Sequence, residues 1–212
     1  QKYQFKEMKK ISKNLKSKKI KNLVLLGIGG SSLGTETIFR ALLHPLHNMS
    51  ESARNGKPRY FILDNIDPHT INSIIQCIEK EKGETLLIVI SKSGETPETI
   101  SQFMIFKKLL QNTKDFKERV VIITDKNRGI LKEIVDREGY PVLNVPEGVG
   151  GRFSVLTPVG LFPSLAMEIN IDALVRGAQN MALHIKNTRA SHNIALILAS
   201  ILYLMDRKGR SI

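Results

Sequence analysis

Two loops in this 212-residue chain are dense in groups that hold an anion. The first is Gly27-Ile-Gly-Gly-Ser-Ser-Leu-Gly34, lying between an apolar run and a helical pattern. Glycines let the backbone approach a ligand, and the start of the following helix offers free N–H groups with roughly half a positive charge. Two phosphate motifs nearly match and both fail. A dinucleotide fingerprint needs glycine where Ser32 stands, and Asp64 lies far beyond the ~20 residues at which its ribose-binding acid is expected. A Walker loop over positions 29–34 needs lysine where Thr35 stands. NAD and ATP are therefore disfavoured, and the chain is read as using no cofactor.

The second loop is Ser91-Lys-Ser-Gly-Glu-Thr-Pro-Glu-Thr99. Thr96 followed by Pro97 is explained as a helix start, with threonine capping and proline in the first turn. That leaves Ser91, Ser93 and Gly94 crowded at a strand end, where hydroxyls and backbone N–H groups form an anion cradle of modest strength. Such a cradle suits an exchanging substrate phosphate. Lys92 either adds charge to it or points away. A third segment, Gly148-Val-Gly-Gly-Arg-Phe-Ser154, flanks one arginine with glycines, so that Arg152 either swings a permanently charged fork toward a site or lies free on a mobile loop. His44 and His47 have the spacing of a metal pair but lack further ligands; with His69, His184 and His192 they are read as structural, and no metal is expected. Cys77, the single cysteine, is read as a small core residue, not a nucleophile.

The elements that must position these loops follow from hydrophobic patterning. Apolar runs at 23–26, 60–63, 86–90, 120–123 and 142–145 are continuous and do not alternate, as expected of strands buried on both faces of a parallel sheet. Between them lie helical stripes: Ile71, Ile74, Ile75 and Ile78 behind an Asp67 cap and Pro68, then Ile100, Phe103 and Met104, then Ile130, Leu131, Ile134 and Val135. The fold class is α/β, a doubly wound five-stranded parallel sheet flanked by helices, with extra C-terminal helices. In the flavodoxin-like order 2-1-3-4-5 the first and third strands are neighbours, and their carboxyl ends border one crevice. Both hydroxyl-rich loops then meet. Beyond position 156 strands stop; Thr157-Pro158 opens an apolar helix, Asp172 is expected to cap another, and Ile194–Met205 is apolar all round, so that burial is its natural state although too little sequence remains here to wrap it.

Composition narrows the function classes. Hydrophobic residues at 42% and charged residues at 25% fit a globular chain with a core and exclude disorder throughout. The longest apolar stretch falls short of the ~18 residues of a membrane span, and the lysine-rich start lacks the apolar region of a secretory leader. One cysteine excludes an internal disulfide framework and fits a reducing cytoplasm. The net charge of +12 invites a nucleic-acid reading, but positions 1–21 carry nine lysines against Glu7 alone, and the other 191 residues hold 23 bases and 19 acids. Met8, Ile11 and Leu15 make this arm an amphipathic helix docked on the domain, with its lysines solvated; no aromatic platform supports nucleic-acid binding.

In these three glycine- and hydroxyl-rich blocks, in their order and spacing, the sequence resembles the glucose-6-phosphate isomerase family of the sugar-isomerase (SIS) fold group, from about Asn22 to at least Met167. The Ser-x-Ser-Gly-x-Thr block alone indicates a sugar-phosphate binder of that group, and Gly150–Ser154 points to the glucose-6-phosphate enzyme. The resemblance implies aldose–ketose interconversion through an enediolate, a reaction of glycolysis and gluconeogenesis. It implies that Gly30, Ser31, Ser91, Lys92 (through its backbone), Ser93, Thr96 and Gly151 bind the sugar phosphate, and that Arg152 supports the enediolate. It also implies a homodimer when full length. The last residues, Arg207–Ile212, resemble the stretch preceding the family's catalytic glutamate, which with its histidine and lysine would lie beyond Ile212. The domain reading is therefore a basic arm at 1–21, a sugar-phosphate domain at 22–188, and at 189–212 the start of a helical segment of a longer chain that turns over negligibly by itself. A non-catalytic SIS module that senses a sugar phosphate is the alternative.

Overall fold

Each continuous apolar run forms a strand in the computed structural model, which describes the backbone of residues 2–210 and the side chains of residues 4–210. Ser211 and Ile212, part of the C-terminal resemblance, lie outside the described residues. Strands β1 (Asn22–Leu26), β2 (Arg59–Leu63), β3 (Thr85–Ser91), β4 (Val120–Thr124) and β5 (Val142–Asn144) form one parallel sheet in the order β2-β1-β3-β4-β5. The register pairs Leu25 with Ile88 and Ser91 with Thr124. All five residues of β1 and β4 and all seven of β3 are buried, which accounts for their unbroken apolar character.

Helices cover both faces: α1 (Lys2–Lys16), α2 (Leu33–Leu42), the short α3 (Glu51–Arg54), α4 (Pro68–Ile78), α5 (Pro97–Leu110), α6 (Ile130–Glu138) and α7 (Pro158–Ala166). On one face, Val24, Leu87, Val89 and Ile122 pack with Ile71, Ile74 and Ile78 of α4, Phe103 and Phe106 of α5, and Leu131 and Ile134 of α6. The alternate residues Leu23, Leu25, Ile88, Val121 and Ile123 are equally buried. There α1 and α2 each pack on α7. Met8, Ile11 and Leu15 are buried, so the lysine-rich arm is tied down by apolar burial of about 1.5–3 kcal/mol per side chain.

Capping follows the sequence at two helices. Asp67 accepts from the His69 and Thr70 amides, and Thr157 accepts from Val159 N–H. Three expectations need correction. Cys77 is exposed, because the buried stripe of α4 runs through Ile71, Ile74 and Ile78 and turns its neighbour to solvent. Met104 and Ile130 are also exposed, at 40% and 45%. Asn170, not Asp172, caps the next helix by accepting from Ala173 N–H, leaving Asp172 in the first turn.

The chain divides after Ile169 into two compact units. Unit two contains α8 (Ile171–Asn187) and α9 (Ile194–Arg207), the latter capped by Asn193, whose side chain also donates to the Ile185 carbonyl. Helix α9, which the sequence reading expected this chain to leave unwrapped, has no buried residue. Among the described residues no helix is long and apolar enough to cross a membrane.

Candidate anion-binding site

The strand order brings the carboxyl ends of β1 and β3 side by side, so the two hydroxyl-rich loops leave the sheet together. Gly27 makes their closeness measurable: a Cβ there would stand 3.0 Å from Ser31 Cβ and 3.2 Å from the Ile90 carbonyl oxygen. Gly29 takes φ +56°, opening a single helical turn (Gly29–Ser31) that leads into α2. Ser31 is half-buried at the crevice, whereas Ser32 is buried and its hydroxyl donates to the Gly29 carbonyl. Thr35, at the position a Walker loop gives to lysine, is fully buried and donates to the Val159 carbonyl. That hydroxyl fastens the loop to α7.

The third segment closes on the first. A Cβ on Gly30 would overlap the Gly151 carbonyl, so the two backbones touch there. Ser154 Oγ reaches the carbonyls of Gly30 at 3.2 Å and Gly151 at 2.6 Å. Gly151 is therefore at the first loop itself. Arg152 beside it is exposed, with no side-chain partner among the described residues.

The β3 loop is a ring of hydroxyls. Ser91, buried at the strand end, has its Oγ 2.8 Å from Thr96 Oγ1 and 3.5 Å from Ser93 Oγ, and accepts from Gly94 N–H at 3.1 Å. Ser93 Oγ accepts from Glu95 N–H. Thr96 begins α5 but its side chain makes no capping bond, because its hydroxyl pairs with Ser91 instead. The helix-start explanation covers its backbone and leaves its hydroxyl to the loop. Lys92 and Ser93 are exposed; Lys92 has no side-chain partner among the described residues.

The arrangement can hold a small dianion. The helices α2 and α5 start directly after the first and second loops, each contributing partial positive charge. The hydroxyls of Ser31, Ser93 and Thr96 supply rotatable donors, and Lys92 and Arg152 add two unpaired cations at neighbouring loops. Sequence reasoning missed the supports: Thr35, Ser154 and, behind Gly94, Gly129, whose Cβ would overlap the Ser93 carbonyl oxygen. A glycine closing the polar run 125–129 was the available signal. His47 is buried with Nε2 2.8 Å from the Pro58 carbonyl, a structural contact.

Comparison with known proteins adds a family. Residues 4–207 match the phosphoglucose isomerase family. The chain is 38% identical over 206 residues to a glucose-6-phosphate isomerase of Rubrobacter xylanophilus, covering 95% of this chain and 46% of that protein. It is 37% identical to one from Methanocaldococcus jannaschii over 90% of this chain and 44% of that one. The chain thus spans less than half the length of these curated relatives. Among solved structures, a glucose-6-phosphate isomerase from Chlamydia trachomatis superposes with a TM-score of 0.74 at 26% identity, over 95% of this chain and 37% of that one. A tagatose-6-phosphate ketose/aldose isomerase from Escherichia coli, at 14% identity and a TM-score of 0.51, shares the fold.

Proposed function

The chain belongs to the phosphoglucose isomerase family, an isomerase enzyme family, and from that premise we propose that it is the sugar-phosphate-binding part of a glucose-6-phosphate isomerase. The carrying observation is the meeting of three loops at one strand edge, with Ser91, Ser93 and Thr96 in a hydroxyl ring and Gly30 against Gly151. In this reading Ser31, Ser91, Ser93 and Thr96 donate to the phosphate of glucose 6-phosphate or fructose 6-phosphate, and the Lys92 backbone completes the loop. Arg152 faces the sugar. As a base removes the C2 proton and returns it at C1, negative charge grows on the carbonyl oxygen; a guanidinium there is typically worth about 3–4 kcal/mol. The glutamate base and the ring-opening groups belong to sequence outside residues 1–212, and the whole protein works as a cytoplasmic homodimer.

Calorimetric titration of the 1–212 chain with 6-phosphogluconate tests the site. Ser93→Ala with Thr96→Ala is expected to weaken binding at least about tenfold, two lost charge-assisted hydrogen bonds being worth well over 1.4 kcal/mol. Equal affinities for wild type and double variant would sink the reading.

A further inference from the structure

Buried polar atoms without partners are rare, and each calls for a physical account. Among the described residues four side-chain atoms qualify: Thr124 Oγ1 at the end of β4, beside the loop after β3, and Thr99 Oγ1 and Gln102 Oε1 in the first two turns of α5, the helix that follows that loop, are three of them. All three residues are fully buried. The fourth, Arg119 Nε, precedes β4 at its opposite end.

Their placement follows from strand alternation. Leu87 and Val89 of β3, and Val120 and Ile122 of β4, face the layer containing Phe103 and Phe106. Two residues further along, Ser91 and Thr124 point to the same side and stand in register as neighbours. The apolar layer thus ends, under the loop, in a polar one. Thr124 Oγ1 lies directly beneath Gly94: a Cβ on Gly94 would stand 2.9 Å from it. Gly94 takes φ +71°, and Gly129, with φ +96°, backs the same spot while Leu131 N–H donates to the Gly94 carbonyl at 3.0 Å.

We propose that Thr124 is a positioning residue for the anion loop, its hydroxyl heading a relay from Thr124 through Ser91 that is completed when an anion takes the Ser91 proton. The inference rests on reading the β3 loop as the phosphate cradle. In the free protein Ser91 Oγ and Thr96 Oγ1 face each other, and either is the donor. A bound anion that accepts from Ser91 turns that proton away from Thr96; one Ser91 lone pair accepts from Gly94 N–H, and the other is open to Thr124 Oγ1, which makes no hydrogen bond in the free protein. A Thr124 donor there polarises the whole chain toward the anion. An unpaired buried hydroxyl is a burden on the free protein, so this role has a signature that ordinary packing lacks.

The test compares Thr124→Val, which keeps the shape and removes the hydroxyl, with Thr124→Ser, which keeps the hydroxyl, in the 1–212 chain. The readouts are 6-phosphogluconate affinity by calorimetry and thermal unfolding without ligand. Thr124→Val is expected to bind about five- to tenfold more weakly, the worth of one hydrogen bond, while unfolding at an equal or higher temperature. Thr124→Ser is expected to bind within about twofold of wild type. Wild-type affinity in Thr124→Val, no rescue by serine, or parallel losses of affinity and stability would each overturn the role. Ser93→Ala, run alongside, separates the failures. If it weakens binding and Thr124→Val does not, only the relay is wrong; if it too is without effect, the cradle reading fails and the relay with it.

Discussion

At the scale of single residues the site depends as much on missing side chains as on present ones. Gly30 is the clearest case, because its backbone lies against the Gly151 carbonyl where a methyl group would overlap. Gly30→Ala must part the first and third loops or shift α2. It is expected to cost about 1–3 kcal/mol of stability, the range for overpacking, and to weaken 6-phosphogluconate binding through displacement of Ser31. Urea unfolding and calorimetry on the same variant check both effects; a variant that unfolds and binds like wild type would show that the loops touch less tightly. The residue types of this site were legible in the sequence, because glycine and hydroxyl clusters at strand ends have few other uses. Their supports were not. That Thr35 fastens to Val159, or that Thr96 serves Ser91 instead of its own helix, depends on which backbones approach, and no local pattern encodes that approach.

At the scale of elements, strands were readable because burial on both faces leaves an unbroken apolar run, and α4 because its cap and stripe agree. The tie between α5 and α6 was invisible, since its members are scattered along the chain. Glu138, at the end of α6, takes Lys107 of α5 at 2.6 Å and the Tyr140 hydroxyl at 2.9 Å, with Arg137 at 3.1 Å. The Lys107 ammonium, with help from Arg137 and Tyr140, holds the Glu138 carboxyl down at about 2, and burial together with this carboxylate pushes the Tyr140 phenol up. A carboxyl depressed in the folded state stabilises fully above its unfolded value, ordinarily about 4.3, and loses that contribution as pH falls toward 2. Wild type is therefore expected to lose about 1–2 kcal/mol more than Glu138→Gln between pH 5 and pH 2.5, after allowance for solvent screening. Denaturant unfolding of both proteins across that range checks the sign; parallel pH profiles would remove Glu138 from the account. Met8 makes a second test at this scale. It is 1% exposed, so Met8→Ala is expected to cost about 2–4 kcal/mol, whereas a free lysine-rich arm would tolerate it.

At the scale of the molecule the two units differ in how far each covers its own apolar surface. Unit one, residues 1–169, holds all five strands, the helices on both faces of the sheet and the three loops of the candidate site. Unit two is built of α8 and α9, and in α9 Ile194, Leu198, Tyr203 and Leu204 are more than half exposed, with Ile201 and Leu202 close to that. Contiguous apolar surface of this kind drives association in water. Sequence showed that α9 is apolar all round, but periodicity carries no information on what covers a helix, and in this chain nothing among the described residues does. The 1–212 chain is therefore expected to self-associate with rising concentration, and a chain ending at Ile169 to remain monomeric over the same range by sedimentation velocity. Because the loops lie within unit one, the shortened chain should also bind 6-phosphogluconate within about twofold of the 1–212 chain, a difference under 0.5 kcal/mol. Association that persists after the cut would place the sticky surface on unit one. Binding lost with the cut, in a chain that still unfolds cooperatively, would mean that residues 170–212 take part in shaping the anion site.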